Sequence, residues 1–343
     1  AAIRAMIDSL KSELPVKKMK IMIMSGNVTQ FPYHDIEVID LYPSSSEGRI
    51  RGYLDALLML ATLGELSFSK GGKKFIKAAD EADIVVHAPG GPSIGDLYGS
   101  RLLGDLPYLH RLLVAKVFKK KPLFFYAPSM GPFSGKLRNL ARKFILKKAD
   151  AIILREEISA RHLKEQLGLD SFVTIDSALQ NDIPDDYISR YTNVSEIANI
   201  IENAKVIGVV VTDLKWHPIY KHSKYDELRK RVIDSLSGVT QWLTERGYTI
   251  LLIPQLFGEQ EDTSLLKEIY QSSKDKDKVF ILPLELDSYA QQVIISKLLC
   301  LISMRYHPTV FAAKENTPFI SISVSYTHLR AHETSLHLVC RLL

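Results

Sequence analysis

Residues 299–324 run Leu299-Cys300-Leu301-Ile302-Ser303-Met304, then Arg305-Tyr306-His307, then Pro308-Thr309-Val310-Phe311-Ala312-Ala313, and close on Phe319-Ile320-Ser321-Ile322-Ser323-Val324. Two short apolar runs of strand length enclose a helix-forming stretch that opens with Pro in its first turn. That order is a strand, a crossover helix and a second strand, which a parallel sheet requires. The polar triplet falls where the first strand ends and the helix begins. A helix N-terminus offers unpaired N–H groups and positive dipole potential. Arg305 adds a planar fork matched to carboxylate or phosphate, and His307 a group that carries a proton near neutral pH. The stretch therefore reads as an anion site. The competing reading is a capped helix with Arg305 salt-bridged and His307 hydrogen-bonded in the core.

Working outward, the same alternation fills the chain. Apolar runs at Lys20–Met24, Ile36–Leu41, Ile84–Ala88, Leu123–Ala127, Ala151–Leu154 and Phe172–Ile175 predict strands. Amphipathic stretches near 50–64, 71–81, 103–118, 136–148 and 157–167 predict helices between them. Continuously apolar strands joined by helices imply parallel sheets covered on both faces. Residues 181–204 are polar and aperiodic and read as a linker. The alternation then restarts with strands Val206–Val211, Thr249–Pro254, Val279–Leu282, Leu299–Ser303 and Phe319–Val324, and with helices near 224–246, 261–272, 287–297 and 308–315. In helix 224–246, Leu228, Val232, Ile233, Leu236, Val239, Trp242 and Leu243 form one apolar stripe. The expectation is an α/β chain of two Rossmann-like, doubly wound domains, 1–180 and 205–324, facing across a cleft. In such sheets ligands bind beyond the carboxyl ends of the strands.

Composition sets limits. The 343 residues suit about two domains, and 46% hydrophobic with 24% charged residues is ordinary for a globular protein. A net charge of +5 suits anionic small molecules or an acidic membrane surface and is too weak to argue for nucleic acid. No apolar stretch reaches the ~18 residues of a membrane span. The last segment, from Ser325-Tyr326-Thr327-His328 to Leu343, changes character abruptly and resembles translated adapter read-through, so it is set aside as non-native. That leaves Cys300 as the one native cysteine, which argues against disulfides and for a reducing, cytoplasmic compartment. The chain starts inside a helical pattern (Ile3, Met6, Ile7, Leu10), so a preceding strand is expected upstream of Ala1.

The loops after the strands supply further candidates. Pro89-Gly90-Gly91-Pro92-Ser93-Ile94-Gly95-Asp96 follows one strand, and its paired glycines allow close backbone approach to a ligand. It matches neither a P-loop nor the dinucleotide fingerprint, and a plain tight turn reads it equally well. Pro128-Ser129-Met130-Gly131-Pro132-Phe133 follows the next, then Arg155-Glu156-Glu157-Ile158-Ser159. In the second half, Thr212-Asp213-Leu214-Lys215-Trp216-His217 follows the first strand. No zinc-type spacing and no G-x-S-x-G elbow occurs. The basic helix with Lys136, Arg138, Arg142, Lys143, Lys147 and Lys148, like the Lys119-Lys120-Lys121 run, reads as a solvated face, with docking to an acidic membrane as the alternative.

Taken in order, Gly90-Gly91 with Asp96, Ser129-Met130-Gly131-Pro132-Phe133, Arg155-Glu156-x-x-Ser159, Asp176-Ser177-Ala178 and Arg305-x-His307 followed by Phe311-Ala312 and Pro318-Phe319-Ile320 resemble the polysaccharide pyruvyl transferase family. The resemblance covers nearly all of residues 1–324, and the Arg-x-His segment and Gly-Gly loop are its most specific parts. A Gly-Asn-x-Gly-Asp-type loop would lie upstream of Ala1, and a Tyr and a Lys beyond Val324. The resemblance implies a glycosyltransferase-B-like fold with phosphoenolpyruvate as co-substrate; no cofactor is expected, and no residue of the sequence requires a metal. Its product would be a pyruvyl ketal on a sugar or lipid-linked glycan acceptor, made in the cytoplasm or peripherally at the inner membrane surface. On this reading Arg305 clamps the anion and His307 is the acid/base or phosphate contact. Lys215, Arg155 and Thr309 lie on the donor's path, and Gly90, Gly91, Asp96 and Ser129 bind substrate from the first domain. Two rivals stay open. One is a nucleotide-sugar glycosyltransferase, which needs an acidic ribose-binding residue for which Glu315 is the candidate. The other is a non-catalytic assembly protein that binds an anionic glycan.

Overall fold

The structure is a computed structural model that describes residues 2–23, 35–40, 49–89, 94–96, 106–180, 182–183, 187, 189, 195–213, 225–255, 262–283, 286–323 and 339–341. The helical spacing at the start of the chain becomes Ala2–Glu13 (α1), which buries Ala2, Ala5, Met6 and Ile7 on one face. Met19–Ile23 (β1) and Ile36–Asp40 (β2) pair in parallel. Arg49–Ala61 (α2) and Lys70–Glu81 (α3) precede Val85–His87 (β3). Leu106–Leu113 (α4) runs into a π-helical turn at Val114–Phe118 and leads to Leu123–Tyr126 (β4). Lys136–Leu146 (α5), Ala151–Leu154 (β5), Glu157–His162 (α6) with its π-helical extension Leu163–Leu167, and Phe172–Val173 (β6) complete a unit spanning Ala2–Ser177. Strands β3, β4, β5 and β6 form a second parallel sheet in that order. The N-terminal unit therefore carries two sheets where the alternation suggested one. A shared core joins them: Met6, Ile7 and Ile36 pack with Ile21 of one sheet and Val86 and Tyr126 of the other.

The second unit runs from Ala178 to Leu343. The stretch expected to be a featureless linker holds Ser195–Asn203 (α7), which buries Ile197 and Ile201 one turn apart. Its apolar spacing is obscured by the polar residues around it. Val206–Val210 (β7) follows and is buried along its whole length, as a central strand covered on both faces must be. Next come Tyr225–Thr244 (α8), Thr249–Leu252 (β8), Thr263–Ser272 (α9), Val279–Ile281 (β9), Ser288–Ser296 (α10), Cys300–Ser303 (β10), Tyr306–Lys314 (α11) and Phe319–Ser323 (β11). All strand pairs are parallel, and the order β11-β10-β7-β8-β9 places β7 and β10 side by side where the winding reverses. The set-aside tail contributes Val339–Arg341 (β12), parallel to β11 at the sheet edge. With it the order becomes 3-2-1-4-5-6 within the unit, that of the Rossmann fold. The stripe on α8 is narrower than expected. Val232, Leu236 and Leu243 are buried, whereas Trp242 faces outward beneath the Arg246 guanidinium, 3.9 Å from its ring.

Candidate functional site

The strand order of the C-terminal unit reverses between β7 and β10, and in open parallel sheets it is there, where the loops at the carboxyl ends diverge, that ligands bind. Thr212 and Asp213 follow β7, and Arg305, Tyr306 and His307 follow β10. Arg305 is the residue before α11, with extended backbone and no side-chain cap on the helix. The Ser303 hydroxyl accepts its N–H at 3.1 Å and donates to its carbonyl at 2.9 Å, which sets the turn into the helix. His307 lies exposed in the first turn of α11, edge-on to Tyr306 at 5.5 Å. That turn holds no acidic residue. Thr309 is buried, and its hydroxyl donates to the Tyr306 carbonyl at 2.6 Å, so it braces the turn.

The Arg305 Nη2 donates to Asp262 Oδ1 at 2.9 Å, and Asp262 is fully buried. Asp262 precedes α9 yet makes no side-chain cap there. Its carboxylate turns instead to the strand ends, accepting the Gln255 N–H after β8 at 3.2 Å and the Asp213 N–H after β7 at 3.4 Å. One carboxylate thus ties the loops after β7, β8 and β10 together. Asp262 is the residue the sequence reading missed. It sits in the run Gly258-Glu259-Gln260-Glu261-Asp262, where an acidic residue at a helix start signals only a dipole partner. Arg305 enters the site as half of an ion pair, the geometry of the blander reading. With Arg305 paired to Asp262, positive potential at this spot comes from the N-terminal end of the α11 dipole. Asp213 in turn accepts from the Tyr225 hydroxyl at 2.6 Å. Burial and that bond push the Tyr225 phenol up to about 12. Lys215 lies outside the described residues.

The N-terminal unit repeats the device. Arg155, after β5, donates from Nη1 to Asp176 at 2.6 Å and from Nε to the Ser129 hydroxyl, after β4, at 2.8 Å. Both members of the ion pair are nearly buried. Two expected substrate contacts, Ser129 and Arg155, are therefore brought together, but as a brace between strand ends. Asp96 belongs to a separate network. It accepts from Arg142 at 2.7 Å, from Arg138 at 3.1 Å, and from the hydroxyl and N–H of Ser134. Burial raises its pKa, but the Arg142 and Ser134 bonds outweigh that and hold the carboxyl well below the usual range. Arg142, read as part of a solvated face, is fully buried over the Phe133 ring. Lys119, from the run also read as solvated, pairs with Glu65 and Asp80. Gly90 and Gly91 lie outside the described residues. Glu315 sits at the opposite end of α11 from His307 and accepts from Gln292 at 2.6 Å, so it is not placed to read a ribose at the helix N-terminus. Among the described residues no group of three His, Cys, Asp or Glu side chains could hold a metal, and no helix is long and apolar enough to cross a membrane.

Two units of parallel strands joined by helices, the second with Rossmann strand order, make this an α/β protein whose fold is glycosyltransferase-B-like, as its likeness to solved structures shows. The likeness extends to a solved UDP-N-acetylglucosamine 2-epimerase, at 10% identity and a TM-score of 0.60 over 99% of this chain and 80% of that one. The UDP-GlcNAc 2-epimerase of Methanocaldococcus jannaschii gives 12% identity and a TM-score of 0.54 over 94% and 89%. At such identities the likeness is one of fold alone. The chain belongs to the polysaccharide pyruvyl transferase family, whose pattern it matches over residues 3–326. It is also 22% identical over 272 residues to the amylovoran biosynthesis protein AmsJ of Erwinia amylovora, a match that covers 75% of this chain and 60% of that protein's length.

Proposed function

We propose that this chain transfers the pyruvyl group of phosphoenolpyruvate to a sugar of an exopolysaccharide or its precursor as a ketal, releasing phosphate. The observation that carries the proposal is the family match, which spans both units and includes the Arg305-Tyr306-His307 junction at the strand-order reversal. The chemistry suits that junction. Phosphoenolpyruvate brings a carboxylate and a phosphate, the anions that a helix N-terminus and an arginine fork favour. A proton delivered to its methylene carbon makes an oxocarbenium-like centre at the adjacent carbon. Two sugar hydroxyls then form C–O bonds there, phosphate departs with the original C–O bond, and the hydroxyl protons are released. His307, exposed on the first turn of α11, is the group proposed to move a proton. Arg305, its plane fixed by Asp262, is proposed to grip the donor. No metal or cofactor enters the scheme.

The test is phosphate release from phosphoenolpyruvate, with and without a crude pool of glycan acceptors. Acceptor-dependent release that collapses in His307→Ala is the expected result. No release, together with thermal protection by a nucleotide sugar, would replace the proposal with glycosyl transfer. Silence in both assays from a folded chain would favour the non-catalytic glycan-binding reading.

A further inference from the structure

Helix α5 is two-faced in an uncommon way. Arg142, Ile145 and Leu146 are buried, and Arg142, with Arg138 a turn before it, is committed to Asp96. The opposite face exposes Leu137 (83%), Leu140 (67%) and Phe144 (56%), three large apolar side chains spaced three and four apart along one stripe. Exposed lysines border that stripe. At 3.6 residues per turn, Lys136, Lys143 and Lys147 fall along one side and Lys148 on the other. The Lys148 ammonium lies 5.1 Å from the Phe144 ring. No acidic residue occurs between Lys136 and Lys148.

A soluble surface gains nothing from three neighbouring exposed apolar side chains, and such patches mark interaction sites. The ring of cations selects the occupant. A second copy meeting the same patch across a two-fold axis would set four lysines against four. An anionic lipid surface instead accepts Leu, Leu and Phe into its interface while its headgroups neutralise the lysines. The geometry points to α5 as a peripheral membrane-docking helix that holds the N-terminal unit on a bilayer rich in anionic lipid. The reading does not depend on the pyruvyl-transfer proposal, because docking is measured without catalysis.

The experiment is flotation of the full chain with vesicles of phosphatidylcholine alone and of phosphatidylcholine mixed with phosphatidylglycerol, at low and high salt. Binding is expected only to the mixed vesicles and should fall steeply with salt. Replacing Lys136, Lys143, Lys147 and Lys148 by Gln should weaken it about fivefold per lysine. The pair Leu137→Gln and Phe144→Gln should weaken it by at least about tenfold. All six side chains are exposed, so unchanged thermal midpoints identify variants that remain folded. No binding by the folded parent chain, or binding equal in parent and variants, would overturn the inference. So would a Leu137→Gln/Phe144→Gln variant that turns a dimer into a monomer, which would assign the face to a second copy.

Discussion

His307 and Asp262 make opposite demands on the residues around them. His307 is exposed, so His307→Ala should leave the thermal midpoint unchanged while phosphate release drops by about 10²–10⁴-fold. A midpoint shift equal to that of a buried substitution would show that the imidazole serves the fold. Asp262→Ala should behave otherwise, because it leaves Arg305 without its buried counter-charge and three strand ends without their common acceptor. Denaturant unfolding should show a loss of about 3–5 kcal/mol. A loss below about 1 kcal/mol would mean the pair is incidental. His87, at the end of β3, is buried against Phe125 at 5.0 Å, and burial lowers its pKa from 6.5 to about 4. The unfolded chain therefore binds this proton between pH 6.5 and 4 while the folded chain does not. The contribution is complete above pH 6.5 and is lost as pH falls to 4, by roughly 3 kcal/mol. Midpoints measured across that window should fall for the parent chain, and His87→Leu should flatten the slope. An unaltered slope in the variant would place the acid sensitivity elsewhere.

At the level of elements, the loops after β3 and β4 are joined by their backbones. Ile94 bridges Met130, the Gly131 N–H donates to the Ile94 carbonyl at 2.8 Å, and the Asp96 N–H donates to the Pro132 carbonyl at 2.9 Å. Gly95 sits between these contacts at φ +147°, where a Cβ would lie 2.9 Å from the Gly131 backbone. Gly95→Ala should cost about 1–3 kcal/mol from the backbone alone and displace the Asp96 network, read as a lower unfolding midpoint. An unchanged midpoint would mean the two loops separate freely. Asp55 plays a comparable part between α2 and α3. It accepts from the Ser67 and Ser69 hydroxyls at 2.7 Å each and from the Phe68 N–H at 2.5 Å. Periodicity marks helices well and marks such polar anchors poorly, because a buried carboxylate and a solvated one look alike in sequence. Arg142 shows the same difficulty in reverse, since a helix rich in Lys and Arg gives no sign that one of its cations points inward.

At the scale of the molecule, each unit has its own hydrophobic core, so calorimetry is expected to show two transitions. Asp262→Ala should move one of them and Gly95→Ala the other; a single transition shifted equally by both would refute that division. The alternation of apolar runs and amphipathic helices by itself determined the α/β class, the positions of eleven strands and the restart of the pattern after residue 204. Those features come from local periodicity and burial, which are written along the chain. The Arg305–His307 junction was legible for the same reason, as a polar triplet between a strand and a helix. Which carboxylate each arginine meets was decided only by tertiary structure. Asp262 and Arg305 are 43 residues apart and Arg155 and Asp176 are 21 apart, and strand order alone brings them together. The same holds for the split of the N-terminal sheet and for the exposed stripe on α5. Whether Leu137, Leu140 and Phe144 face a core or solvent depends on what packs against the other side of the helix, and that side is filled by Arg142, Ile145 and Leu146.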